Sequence, residues 1–524
     1  MRFPIYIASP EESRTLDNLA AHEFSLPTLI LMENAARSIL ECAASLWPDL
    51  LEGKSSVFIL CGPGQNGGDG WVLARLFSSL GHKVSAYLVT SKGVMPQGDA
   101  LINYNVAKNL NVPISIVDDD ACPLPEWGKA DLVVDAIFGS GLSKPLEGQP
   151  KRILASIEAA PRTFRVLAVD LPSGLMGSTG EALGPVVPAD LTVSLGTLKL
   201  GLFLQRGPEL SGAIRLGDIG LCPPMYKSAP PNGILLNRYA AQRLLPPRPI
   251  TGHKGTFGHA VVAGGSHGKT GALTLAAMGA LRSGAGLVTA AHPHVLAKIM
   301  EEKLTAPMTL SLPNSDDGFL DRRAAKPLLD FLANKSALGL GPGLGVNEDT
   351  KEFLLEILSD LPLPLVLDAD GLSTLRYYHK NLLERKHPTI VTPHPGEAAN
   401  LLGTSPDGIQ KDRLAAAKQL ASETGATVVL KGHNTIVMEH TGINYYICPS
   451  GGPILATGGT GDLLTGLITG FLARKMEPFA AAALGVYVHG RGGDLAAGEF
   501  GDTGVSPGEL QLFFPRVFKE LTLP

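Results

Sequence analysis

Ala456-Thr-Gly-Gly-Thr-Gly-Asp-Leu-Leu-Thr-Gly-Leu-Ile-Thr-Gly-Phe-Leu-Ala473 sets glycines 458, 459 and 461 just before an apolar run of helical length that carries no charge after Asp462. Glycine lets backbone come close to a ligand, and the first turn of a helix leaves amide N–H groups unpaired at the positive end of its dipole. The reading is a helix that starts close to Asp462 with an anion site at its mouth. Asp462 is then either an ordinary helix cap or a base for a hydroxyl engaged in phosphoryl transfer.

Its neighbours favour the second role. Val428-Val-Leu-Lys-Gly-His-Asn-Thr-Ile436 puts Lys431 and Gly432 in a tight turn between two strands, where a cation and bare amides meet phosphates. Thr392-Pro-His-Pro-Gly-Glu397 and Leu340-Gly-Pro-Gly-Leu-Gly345 each end an apolar run, and open α/β sheets bind ligands at the carboxyl ends of their strands. Ala263-Gly-Gly-Ser-His-Gly-Lys-Thr270 comes within one residue of a P-loop, with Ala263 in place of the first glycine and Leu365-Val-Leu-Asp368 as a candidate magnesium-binding strand. That reading leaves the other three segments without a role.

Outward from this site the chain alternates apolar runs of strand length with glycine turns and amphipathic helices, the pattern of parallel sheets wrapped by helices. Helices are expected over 13–20, 28–46, 238–245 and 271–283, and from Asp462 and Ala480. Strands are expected over 57–61, 83–90, 132–138 and 166–170, then 259–263, 287–291, 337–340, 363–367, 389–392, 427–430 and 435–439. A proline-rich stretch between Leu221 and Pro249 breaks the series. We read domains at 1–222 and 237–524 with a linker at 223–236.

Glycine (61) and proline (40) exceed their usual combined share of about 12% in 524 residues, and no Gly-X-Y period accounts for it. A net charge of −5 offers no basic field to nucleic acid or an anionic membrane surface. No apolar run is long enough to span a bilayer, and residues 1–12 do not read as a signal peptide. The scattered cysteines 42, 61, 122, 222 and 448 fit reduced thiols of a cytoplasmic protein.

In the first half, Gly62-Pro-Gly-Gln-Asn-Gly-Gly-Asp-Gly70 follows a strand but lacks the later acidic residue of a dinucleotide fingerprint. Asn66 and Asp69 are expected to be exposed there at a strand end. Asp135 and the stretch Asp170-Leu-Pro-Ser173 stand at two more, and oxygens of these types suit a hard cation.

These segments resemble known families. Gly459-Thr-Gly-Asp462, Lys431-Gly432, 392–397, 341–345, Arg282-Ser-Gly-Ala-Gly-Leu-Val288 and His489-Gly-Arg-Gly-Gly-Asp494 look like the ribokinase-like fold, in its branch of ADP- or ATP-dependent NAD(P)H-hydrate dehydratases. Leu31-Met-Glu-Asn-Ala35, the glycine loop, 133–141 and 169–174 resemble the NAD(P)H-hydrate epimerase domain, a Rossmann-like three-layer α/β fold.

The resemblance implies repair of hydrated NADH and NADPH: epimerisation of the R and S hydrates, then ADP-dependent dehydration of the S form. It implies substrate contacts at Gln65, Asn66, Gly67, Gly68, Asp69, Gly139, Ser140, Gly141, Leu142, Ser143, Lys144, Pro145 and Asp170, with Asp170 and Lys144 moving protons. Potassium would be held by Asn66, Asp135 and Ser173. In the second domain it implies nucleotide contacts at Lys431, Gly432, His433, Asn434, Thr435 and Gly461, and hydrate contacts at Ala272, Gly343, His394 and the base Asp462. Mg2+ would shield the phosphates. A homo-oligomer without nucleic acid or membrane partners is expected. The alternative is a ribokinase-like small-molecule kinase with a non-catalytic N-terminal domain.

Overall fold

The computed structural model describes residues 4–523; residues 1–3, the first of the stretch 1–12 and of the first domain as read from the sequence, and Pro524 lie outside them. Two compact units divide between Asn232 and Gly233. That point falls inside the stretch read as a linker, which carries a short helix, Pro223–Ser228, and the strand Gly233–Leu235.

The first unit holds strands β1 (Tyr6–Ala8), β2 (Ser56–Cys61), β3 (Lys83–Val89), β4 (Ile114–Val117), β5 (Leu132–Ala136), β6 (Arg165–Val169), β7 (Leu191–Leu195), β8 (Leu198–Lys199) and β9 (Ala213–Gly217). The main sheet has the order β4-β3-β2-β5-β6-β7-β9 and is parallel throughout. Its middle strands are buried on both faces, as unbroken runs such as Val57–Cys61 demand. Strand order reverses between β2 and β5, so the crevice for a ligand opens at their carboxyl ends. One layer of helices includes Thr28–Leu46 and Gln65–Ser79, which pack Met32, Ile39, Trp71 and Phe77 against the sheet; Gly148–Glu158 covers the other face through Ile153, Leu154 and Ile157.

The second unit adds β10 (Gly233–Leu235), β11 (His259–Ala263), β12 (Leu287–Pro293), β13 (Met308–Leu312), β14 (Ala337–Leu340), β15 (Leu365–Leu367), β16 (Thr389–Val391), β17 (Thr427–Leu430), β18 (Thr435–Met438) and β19 (Tyr445–Cys448). Within it the order is β13-β12-β11-β14-β15-β16-β17-β18-β19-β10. The strands from β13 to β17 run parallel, and β17-β18-β19 close as antiparallel hairpins.

The glycine-led helix runs from Thr460 to Ala473 and is buried nearly all round. It lies against the helix Thr270–Arg282 with almost no side chain between them. A methyl at Gly466 would sit 2.0 Å from the carbonyl oxygen of Ala276, and one at Gly279 would sit 2.3 Å from that of Leu463. Here backbone meets backbone.

Gly→Ala in an exposed helix interior stabilises by about 1 kcal/mol. At Gly466 the overlap with a carbonyl reverses the sign, and Gly466→Ala is expected to cost about 1–3 kcal/mol. Gly498, in the helix Pro478–Phe500 with nothing within 4 Å of its would-be methyl, keeps the ordinary sign. Thermal melting should show a lowered Tm for Gly466→Ala and an unchanged or raised one for Gly498→Ala; a raised Tm for both would contradict the close approach.

Candidate functional site

The helix Thr460–Ala473 starts at Gly459, whose φ of 100° only glycine adopts freely, and no side chain caps it. Asp462 is therefore a first-turn residue and not the cap. Its surroundings are acidic: burial, then the charges of Asp368, Asp370 and Glu397, outweigh the attraction of Lys431 and push its carboxyl up to about 7.

Asp368 ends β15 and is fully buried. Burial alone would raise its pKa, but the Lys431 ammonium 2.8 Å away and the Thr465 hydroxyl 2.5 Å away hold it below the usual carboxylate value. Lys431 ends β17; burial works against its charge, and Asp368 and Glu397 more than restore it. Its Nζ stands 3.8 Å from Glu397 Oε2 and 3.6 Å from where a methyl on Gly461 would be. Between Asp368 and Asp370, Ala369 has φ 50°, a conformation unfavourable for a residue with a side chain.

His394 caps the helix Pro395–Leu402: its Nδ1 accepts from the amides of Gly396 and Glu397, while Glu397 Oε2 accepts from the His394 amide. Gly343, with φ 65°, comes against Ala272. His433 and Gly432 are exposed at the tip of the β17–β18 turn, Thr435 is half-buried and Asn434 is buried with φ 54°. The P-loop reading fails on geometry. Lys269 is paired with Asp370 at 2.8 Å, while Asp368 faces Lys431.

The segment 489–494 buttresses the glycine loop from behind. His489 meets the backbone of Thr460, and burial drives its pKa down to about 4, so it stays neutral. Asp494 accepts from the Gly451 amide at 2.8 Å.

In the first unit a cavity of about 660 Å³ opens at the carboxyl ends of β2, β5, β6 and β7. Gln65, Asn66, Asp69, Gly139, Ser140, Gly141, Leu142 and Asp170 line it. Gly67 and Gly68 lie behind the wall, where a methyl on Gly67 would overlap the Gly62 carbonyl and one on Gly68 the Met32 side chain. The helix Gln65–Ser79 has no side-chain cap, which leaves first-turn amides without a side-chain partner.

Asp170 sits at φ 68°, and its carboxylate is surrounded by donors: the amides of Ser140 at 3.1 Å and Leu195 at 3.2 Å, and Lys199 Nζ at 2.6 Å. Lys199 also donates to the carbonyls of Leu195 and Thr197, so this fully buried ammonium is completely partnered. Lys144, expected to work with Asp170, lies on an exposed turn and, with Ser143 and Pro145, stays off the cavity wall. The cation at Asp170 is Lys199. Its signal in the sequence is a single charge inside the apolar run Leu198-Lys-Leu-Gly-Leu-Phe-Leu204.

Asp69, expected to be exposed at a strand end, is instead buried in the first turns of the helix Gln65–Ser79, at the cavity wall. Burial, then the charges of Asp170 and Asp17, raise its pKa well above the usual carboxylate value against the pull of Lys199. Asp135 and Ser173 are not among the residues lining the cavity; buried in β5, Asp135 accepts from the Ser173 hydroxyl at 2.5 Å and the Ser173 amide at 2.8 Å, and the Phe138 carbonyl is 3.3 Å from that hydroxyl. Asn66 Nδ2 is buried without a partner.

Two family models match the chain. One, described as NAD(P)H-hydrate dehydratase, covers residues 260–516, and one described as YjeF-related protein N-terminus covers residues 28–201. The bifunctional NAD(P)H-hydrate repair enzyme Nnr of Moorella thermoacetica is 39% identical over 520 residues, 99% of this chain and 97% of its own length. The enzyme of the same description from Escherichia coli is 32% identical over 95% of this chain and 91% of its own. Among solved structures, the ADP/ATP-dependent NAD(P)H-hydrate dehydratase of Bacillus subtilis, co-crystallised with ATP and Mg2+, is 31% identical and covers 55% of this chain and 98% of its own, with a TM-score of 0.49.

Proposed function

Because this chain belongs to the bifunctional NAD(P)H-hydrate repair enzymes, with an N-terminal epimerase domain and a C-terminal dehydratase domain, we propose how its own residues divide the work. The observation that carries the reading is the convergence of Asp462, Lys431 and Asp368 on the uncapped mouth of the helix Thr460–Ala473.

In the C-terminal domain Asp462 takes the proton of the C6 hydroxyl as that oxygen attacks the terminal phosphorus of ADP. The phosphoryl–oxygen bond to AMP breaks with its electron pair left on AMP. Phosphate then leaves C6, driven by the ring nitrogen's lone pair, and loss of a proton from C5 restores the double bond. The amides at Gly459–Gly461 face the charge in transfer. Lys431, Gly432, His433, Asn434 and Thr435 hold the nucleotide, and Ala272, Gly343 and His394 meet the hydrate. ADP is favoured over ATP because fused two-domain members of the family resembled here usually use it. Glu397 is a carboxylate of the class that would fit Mg2+ on the nucleotide's phosphates.

In the N-terminal domain the C6–oxygen bond breaks with its electron pair on oxygen, Asp69 supplies the proton, and the ring nitrogen closes to an iminium. Water then adds from the other face while Asp170, fixed by Lys199, accepts its proton. Asp69, whose carboxyl burial holds well above the usual carboxylate range, suits the duty of the acid. One carboxylate with neutral oxygens from Ser173, Phe138 and Asn66 fits a monovalent hard cation, so Asn66, Asp135 and Ser173 would hold potassium, which would organise the pocket. The five unpaired cysteines fit a reducing compartment, and the cytoplasm is the proposed location; no helix of the described residues is long and apolar enough to cross a membrane.

Asp462→Asn is expected to abolish ADP-dependent return of dihydronicotinamide absorbance from the S hydrate without lowering Tm; wild-type turnover would remove the base assignment. Asp462 must be ionised to act, and its pKa is raised to about 7, so dehydratase kcat/KM should climb with pH through neutrality. Asp370→Asn removes a like charge and should move that limb about half a unit to lower pH; a shift upward would contradict the proximity of the two groups. Lys199→Met should abolish R-hydrate repair and leave S-hydrate repair intact, whereas Lys144→Met should leave both. The reverse pattern would return the role to Lys144.

A further inference from the structure

Arg413 opens the helix Arg413–Thr424, whose apolar stripe, Ala416, Ala417 and Leu420, buries it. It is 5% exposed. The neighbouring carboxylate, Asp412, is turned away to cap the helix through the Ala415 amide at 2.9 Å. Burial alone lowers the Arg413 pKa, to about 10, with no carboxylate among the causes, so the guanidinium remains charged at neutral pH. A buried charge without a counter-ion is costly unless hydrogen bonds replace its water, and here backbone carbonyls do so for Nη1 and Nη2, while Nε has no partner. Arg413 Nη2 donates to the carbonyls of Leu430 at 3.1 Å and Lys431 at 3.4 Å, and Nη1 to those of His433 and, at 3.4 Å, Asn434. The Gly432 carbonyl, the remaining one of the turn, accepts from Thr435 Oγ1 at 3.0 Å.

A trans peptide points its C=O and the following N–H in opposite directions. Carbonyls 430, 431, 433 and 434 turned in toward Arg413 therefore turn amides 431, 432, 434 and 435 away from it. The Lys431 amide bonds the Pro393 carbonyl on that opposite side. The φ values of 144° at Gly432 and 54° at Asn434 are the backbone cost of this arrangement. Amides turned to one side of a tight loop make an anion-binding concavity.

We propose that Arg413 is the positioning residue of the nucleotide loop: it gathers the carbonyls of residues 430, 431, 433 and 434 beneath the β17–β18 turn and so holds the turn, with the Gly432 amide directed outward over a buried positive charge, toward the phosphates of the nucleotide. This rests on the reading that residues 431–435 hold that nucleotide. Arg413 itself touches no reacting atom. Lysine cannot replace it, because a single ammonium cannot span four carbonyls in a fork.

The test is steady-state kinetics of the full chain with ADP and S hydrate varied separately. Arg413→Lys is expected to raise the KM for ADP about tenfold or more, with the KM for hydrate and kcat at saturating ADP nearly unchanged. Gly432→Ala attacks the same contact from the exposed side, since its methyl would lie 3.0 Å from Arg413 Nη2. It should raise the KM for ADP in the same selective way, and it carries the test if Arg413→Lys does not fold. An unchanged KM for ADP, or a loss confined to kcat or to the KM for hydrate, overturns the proposal. Amide exchange of residues 431–435 in the wild-type chain, with and without ADP, tests the underlying reading separately. Protection by ADP with an unaltered KM in the variants sinks Arg413 alone; no protection sinks the nucleotide-loop reading.

Discussion

The C-terminal domain depends on the bare contact between the helices Thr270–Arg282 and Thr460–Ala473. Because Gly279 and Gly466 each leave room for a carbonyl of the other helix, the two axes approach as closely as backbone allows. A helix held that way cannot slide, and its uncapped N-terminus is fixed at the carboxyl ends of β15 and β17. There the only route for burying Asp368 and Lys431 is to pair them, and that pair sets the field in which Asp462 sits. Packing, topology and acidity are thus one chain of cause.

The N-terminal domain reaches a similar end by another route. Its sheet reverses order between β2 and β5, opening a crevice, and the glycine loop closes onto the Gly62 backbone so that Asn66 and Asp69 are delivered into it. A strained Asp170 is held by two amides and Lys199. Backbone strain at Asp170 in one domain and Ala369 in the other marks the places where side-chain placement was kept at a conformational cost.

Much of this was legible in the chain. The glycine-led helix, the turn at Lys431 and the strand ends at Asp135 and Asp170 announce themselves through local pattern, because strand length, turn chemistry and helix starts are local physics. Short elements such as β4, β8 and β19 were not, since a few residues carry too little periodicity. Partnerships across the fold were also hidden. Asp368 and Lys431 are 63 residues apart, and nothing local says that β15 and β17 bring them together. Lys144 was read as the partner of Asp170 because it lies in a loop resembling a substrate loop, yet tertiary approach delivers Lys199. Arg413 sits on an apolar helix stripe, a hint that it is buried, but only the fold shows that its guanidinium gathers carbonyls.

The central claim is that one chain holds two complete sites, one that interconverts the hydrates and one that consumes only the S form. The direct measurement is to incubate the full chain with a mixture of R and S hydrates and ADP, following dihydronicotinamide absorbance and released phosphate together. The account predicts full recovery of the absorbance with one phosphate for each ring restored. Recovery that halts at the S fraction, or that proceeds without phosphate release, would contradict it.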